Sequence, residues 1–205
     1  MIPASEALER LRGGNRRFVA GKTDVGEGAS RDRLAELSQG QSPFAIVLAC
    51  SDSRVPVEIL FDQKLGDLFV VRVAGNVALA SQIGSIEFGV GQCGARLVVV
   101  LGHSQCGAVR ATIDSLREGG ADLSPSLARI VDEIRKATTA FTEVEMCAPG
   151  DELLEKAVGV NALHSAQRLA EESALIRKHL AAGSLQVLAA EYSIETGAVE
   201  FLMAD

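Results

Sequence analysis

The chain has no tryptophan, one tyrosine and only 4% aromatic residues, so its core must be built from Val, Leu, Ile and Ala. It has four cysteines in 205 residues, far too few for a disulfide scaffold. No apolar run approaches the roughly 20 residues that span a bilayer. The N-terminus enters a polar pattern at once (Ser5-Glu6-Ala7-Leu8-Glu9-Arg10), without an apolar signal core. Basic residues are scattered and the net charge is −7, which argues against a nucleic-acid footprint. These features point to a protein of a reducing compartment, with a cytoplasmic location expected.

With 47% apolar residues the chain can bury one sizeable domain. Leu8, Leu11, Asn15 and Phe18 share a helical face, predicting a first helix over Ser5–Val19. A Gly- and charge-containing linker and a short helix near Arg31–Ser38 follow. Residues 1–40 thus read as a helical arm, expected to pack on a partner subunit. Phe44–Ala49, Leu68–Val73, Leu97–Gly102 and Ser184–Glu191 read as strands, and Ala198–Met203 as a last one after a Glu195-Thr196-Gly197 turn. The first and third are continuous apolar runs, as in strands buried on both faces.

Helices are expected from Pro56 to Phe61, Ser81 to Cys93, Cys106 to Arg117, and through Asp151–Ala182. Leu123–Gly150, with Pro125 and Pro149, reads as irregular with helical pieces. Alternating strands and helices predict one α/β domain. Its sheet is mostly parallel, about four parallel strands plus an antiparallel edge strand, flanked by helices.

The residues that carry chemistry lie just past two strand ends. Cys50-Ser51-Asp52-Ser53-Arg54 follows the first strand, and His103-Ser104-Gln105-Cys106 follows the third. If the first strand lies between the second and third, both motifs face one crevice at a switch point. Cys50, His103 and Cys106 form a zinc donor set of borderline-soft ligands. The opening turn of the helix after Cys106 favours a thiolate there.

Three protein ligands leave a fourth position for water or for Asp52, and Arg54 is placed to pair with Asp52 bidentately. A structural zinc site would need a fourth protein ligand, from Cys93 or Cys147. Cys93 reads as an ordinary buried thiol inside a helix, and His164 and His179 as surface or packing residues. A thiol redox module remains a further alternative.

These residues resemble the β-class carbonic anhydrases. The likeness rests on Cys-Ser-Asp-Ser-Arg-Val-Pro at 50–56, Gly-Asp-Leu-Phe-Val-Val-Arg-Val-Ala-Gly-Asn at 66–76 and Gly-His-Ser-Gln-Cys-Gly-Ala at 102–108. It implies reversible hydration of carbon dioxide to bicarbonate, with zinc (Zn2+) on Cys50, His103 and Cys106. It implies Asp52 and Arg54 as a catalytic dyad, with Asp52 a conditional fourth ligand. It implies bicarbonate contacts from Gln41 and the Gly107 N–H, and an apolar pocket with Phe69. Phe88 stands where many members have Tyr.

The resemblance also implies a homo-oligomer, a dimer or a multiple of dimers, with pockets at the subunit interface. Some members carry a second, inhibitory bicarbonate site built on a Trp, an Arg and a Tyr. Here Arg72 and Tyr192 match two of these positions, but Val47 stands at the third, which favours the plant-like subtype. Some relatives of the same fold hydrolyse carbon disulfide or carbonyl sulfide instead.

Overall fold

The computed structural model describes residues 2–24, 30–117, 123–139, 141 and 150–202. Its centre is a five-stranded sheet in the order β2-β1-β3-β4-β5. The strands are β1 (Ala45–Ala49), β2 (Leu68–Arg72), β3 (Leu97–His103), β4 (Gln186–Tyr192) and β5 (Val199–Leu202). The first four run parallel and β5 pairs antiparallel with β4, as the sequence predicts. Every residue of β1 and β3 is buried, which explains why both read as unbroken apolar runs.

Side-chain alternation divides the core into two layers. Ala45, Val47, Ala49, Leu97, Val99 and Leu101 face α1 (Ala4–Val19) and the short α3 (Val57–Leu60). Ile46, Leu48, Val98 and Val100 face the other way. There they meet α4 (Ala80–Gly91), α7 (Gly150–Glu172) and α8 (Ala174–Ala181). Among the described residues no helix is long and apolar enough to cross a membrane.

The N-terminal helix is fastened to its own chain. Its buried stripe is Ala7, Leu11, Gly14 and Asn15, with Leu8 and Phe18 at the margin. Asn15 Nδ2 donates to the carbonyls of Leu60 (3.1 Å) and Gly197 (2.9 Å), while Val199 N donates to Asn15 Oδ1 (2.9 Å). Gly14 permits this contact, since a Cβ there would lie 1.6 Å from Phe61 O. By contrast α2 (Arg31–Leu37) contains no buried residue.

Three stretches differ from the sequence reading. Pro125 does not interrupt structure. It opens a 14-residue helix, α6 (Pro125–Thr138), capped by Ser124, whose hydroxyl accepts from Leu127 N. Proline is tolerated in the first turn because its missing N–H has no intrahelical partner there. The long helical region breaks between α7 and α8 at Ser173, whose hydroxyl accepts from Ile176 N (3.1 Å) and starts a new helix. Cys93 lies beyond the end of α4, half-buried, rather than inside a helix. Cys147 and Pro149 lie outside the described residues, as does Met203 at the expected end of the last strand.

Candidate metal centre and active site

The register places the two motifs side by side. Ala49 is level with Leu101, so Cys50 follows at the height of Gly102, one step from His103. β1 hands the chain to β2 on one side and β3 lies on the other, so this is the switch point of the sheet. His103 is itself the last strand residue, paired with Tyr192, one residue further than the sequence reading put the strand end. Cys106 immediately precedes α5 (Gly107–Arg117), and its carbonyl accepts from Arg110 N (3.0 Å).

Cys50 Sγ, His103 and Cys106 Sγ offer ligand atoms within 4.8 Å of one another, all three residues being buried. His103 Nδ1 lies 2.9 Å from Ser104 O. A carbonyl can only accept, so Nδ1 carries the proton and Nε2 presents a lone pair. That Nε2 is buried without a hydrogen-bond partner, and Asp52 Oδ2 lies 4.0 Å from it.

An orphaned imidazole nitrogen facing two sulfurs is a costly arrangement unless a cation occupies the space. Zinc bonds of about 2.0–2.3 Å in tetrahedral array put ligand atoms roughly 3.5 Å apart, and three donors within 4.8 Å of one another are near enough to share one ion. The ring fixed through Nδ1 is the usual outer support of a metal-binding histidine.

The electrostatics of the cysteine pair point the same way. The Cys50 thiol is lowered to about 4. The main cause is a hydrogen bond with the Cys106 side chain, with the N–H groups of Asp52 and Gly75 also acting against the penalty of burial. Gly75 N donates to Cys50 Sγ at 3.3 Å. Cys106 is pushed strongly upward by the same hydrogen bond, by burial and by the Cys50 charge. Two thiols that cannot both ionise alone can do so around a divalent cation.

Asp52 and Arg54 form the expected pair. Arg54 Nε donates to Asp52 Oδ1 (3.0 Å) and Nη2 to Oδ2 (2.8 Å), with Arg54 N also donating to Oδ1 (2.9 Å). These Arg54 side-chain hydrogen bonds, more than any other cause, hold the Asp52 carboxyl below the usual carboxylate range. Asp52 is therefore an anion beside the metal space with both oxygens engaged by a fork of donors.

Gly107 opens α5 next to Cys106, with open space where a Cβ would be. Its amide belongs to the first turn, where N–H groups lack intrahelical acceptors.

The structure does not bring Gln41, Phe69 or Phe88 to this cluster. Gln41 precedes β1, at the opposite end of that strand from Cys50, in a hollow with Leu37 and Gly66. Phe69 is level with Ile46, four residues short of Cys50, about 13 Å along the strand. Its ring centroid lies 6.1 Å from that of Phe88, and Phe88 is 52% exposed.

Arg72 and Tyr192 end β2 and β4, with β1 and β3 between them, and Arg72 is engaged by the chain itself. Its Nε donates to Cys50 O (3.0 Å) and its Nη2 to Asp52 O (2.6 Å). Sequence reasoning missed this contact, although an Arg closing the apolar run Leu68–Val71 was a visible signal. It also missed the Gly75 amide. Gly75 takes φ +70 within a 3-10 turn at Ala74–Asn76, and Asn161 Nδ2 holds its carbonyl at 2.8 Å.

Residues 45–199 match the family model described as carbonic anhydrase. The chain belongs to the β-class carbonic anhydrase family. It is 40% identical over 194 residues to a carbonic anhydrase of Mycolicibacterium smegmatis, covering 95% of this chain and 91% of that protein. It is 37% identical over 191 residues to carbonic anhydrase 2 of Mycobacterium tuberculosis, covering 93% and 89%. The crystal structure of the β-carbonic anhydrase CafA of Aspergillus fumigatus superposes with a TM-score of 0.76 at 25% identity, over 85% of this chain and 82% of that one. The enzyme is a zinc-dependent carbonic anhydrase that interconverts carbon dioxide and bicarbonate.

Proposed function

We propose that zinc is held by Cys50, His103 and Cys106, and that Asp52 and Arg54 form the catalytic dyad of carbon dioxide hydration. The observation that carries this reading is the orphaned His103 Nε2, enclosed by two sulfurs and with the Asp52 carboxylate 4.0 Å away. Zinc, when bound, supplies the Lewis acid that makes water a nucleophile near neutral pH.

Arg54 decides what Asp52 does. With both carboxylate oxygens on the guanidinium, Asp52 stays off the metal and keeps lone pairs for a hydrogen bond that orients the nucleophile. The N–H of Gly107 donates to the developing bicarbonate from the positive end of α5. The product anion leaves and the proton passes to solvent.

Gln41, Phe69 and Phe88 complete the pocket from a neighbouring subunit in this proposal. What supports this is their placement: none can reach the metal cluster of its own chain, yet Phe88 presents a bare aromatic face. The enzyme is accordingly a homo-oligomer built on a dimer, with the arm of residues 1–40 contributing at the interface. Val47, buried inside β1, takes the place of the Trp of the inhibitory site, which favours the plant-like subtype.

Stopped-flow carbon dioxide hydration with zinc stoichiometry tests the reading. The wild-type protein should carry one zinc per chain and hydrate carbon dioxide. Cys106→Ser should lose both. A Cys106→Ser protein with full zinc and full activity would overturn the ligand set.

A further inference from the structure

The first metal ligand and the dyad lie within the five residues Cys50 to Arg54, and one side chain from the next strand ties the first part of that backbone down. Arg72 ends β2, level with Ala49. The ladder between the strands continues past its formal end, with Val73 N donating to Ala49 O (3.1 Å) and Ser51 N to Val73 O (3.2 Å). Over this extension the Arg72 guanidinium bends back. Its Nε holds the carbonyl of Cys50 at 3.0 Å and its Nη2 that of Asp52 at 2.6 Å. Two carbonyls two residues apart, bound by one rigid fork, leave the peptide planes between them little freedom.

We propose that Arg72 is a positioning residue that fixes the Cys50–Asp52 backbone, so that the Cys50 sulfur and the Asp52 carboxylate keep their relative places. The inference rests on the assignment of Cys50 and Asp52 to the site. Asp52 is then braced from two sides. Arg72 holds its main chain and Arg54 its carboxylate.

Without Arg72 the Arg54–Asp52 pair still forms, because it is local and includes the Arg54 amide. Apart from Arg54 Nη2 on the Gln105 carbonyl (3.4 Å), the pair then has less to fix it as a unit relative to the zinc ligands. The geometry also accounts for an arginine, since a lysine has no planar fork to span two carbonyls. It gives Arg72 a role without an anion: Nε and Nη2 already have acceptors within the chain.

Holoenzymes of wild type, Arg72→Ala and Arg72→Lys are compared by stopped-flow hydration, zinc content and the absorption spectrum after cobalt substitution. Arg72→Ala should keep one metal per chain. Its kcat should drop roughly 10–100-fold, the usual cost of removing an outer support of a metal site, with KM little changed. Its thiolate-to-cobalt and d–d bands should shift, because the Cys50 sulfur is no longer held. Arg72→Lys should regain only part of kcat.

Wild-type kcat together with a wild-type cobalt spectrum in Arg72→Ala would overturn the proposal. So would full rescue by Arg72→Lys, which would mean that charge alone matters, or a raised KM at unchanged kcat, which would mean direct contact with substrate. If Arg72→Ala fails to fold, Arg72→Lys carries the test. A lowered kcat with shifted cobalt bands supports the brace, and wild-type values for both sink it. A wild-type protein without zinc or hydration activity would instead refute the site assignment itself.

Discussion

The two ends of β1 make different kinds of surface. At its carboxyl end, Cys50, His103, Cys106, Asp52, Arg54 and Arg72 are joined by contacts within one chain, and the three ligands are buried. At its amino end and along β2 and α4, Gln41 borders an open hollow and Phe88 is half exposed. The first region needs only a cation to be complete. The second pairs the half-exposed Phe88 with Phe69 and, among the described residues, leaves the Gln41 amide without a hydrogen bond. The groups that could hold a metal therefore come together within the fold of one chain, while the proposed pocket over the metal draws on a second.

The largest effect expected is at the metal end. His103→Asn or Cys50→Ser should abolish zinc binding and hydration, read by metal analysis and stopped-flow kinetics. Next comes the dyad. Arg54→Ala should release the Asp52 carboxylate toward the metal and lower kcat roughly 10–100-fold with zinc retained. Wild-type rates and an unchanged pH dependence in that variant would remove Arg54 from the mechanism.

A mixing experiment addresses the other end of the comparison. Gln41→Ala should keep its zinc and raise KM for bicarbonate about tenfold, the cost of one hydrogen bond to an anion. Unfolded and refolded together, Gln41→Ala and Cys106→Ser chains should recover activity above the sum of the two alone. The intact Gln41 of one subunit would then serve the intact metal site of the other. No recovery would place Gln41 outside the neighbour's site.

The smallest effect concerns stability. Glu191 on β4 is held above its ordinary range, first by burial and then by Glu155 and Glu200, and Glu200 lies directly opposite it on β5. A carboxyl with a raised folded-state pKa binds its proton more tightly folded than unfolded. Its contribution is thus favourable at low pH and is lost as pH rises through the folded value. Glu191→Gln should raise Tm slightly at pH 8 and leave it nearly unchanged near pH 4, by calorimetry at both values.

Much of the fold was legible because β1 and the Leu97–Leu101 stretch of β3 are apolar throughout and the helices between the strands carry their own period. Pro125 misled the reading, since a proline that breaks a helix interior and one that starts a helix look alike without the Ser124 cap in view. The break at Ser173 was hidden for a similar reason, as α7 and α8 are both helical and only the cap separates them.

The sequence by itself determined which residues can bind zinc, because thiolate and imidazole chemistry travels with residue type. It also determined that Asp52 and Arg54 could pair, because they are two residues apart. Only the folded structure set His103 Nδ1 against the Ser104 carbonyl and buried Nε2 without a partner, because the ring's orientation depends on the packing around it. Only it decided that Arg72 turns back onto Cys50 and Asp52, since that contact spans two strands whose pairing no local pattern specifies. And only it separated Gln41 from the metal by the length of a strand, because nine residues of sequence become a distance once the chain is extended.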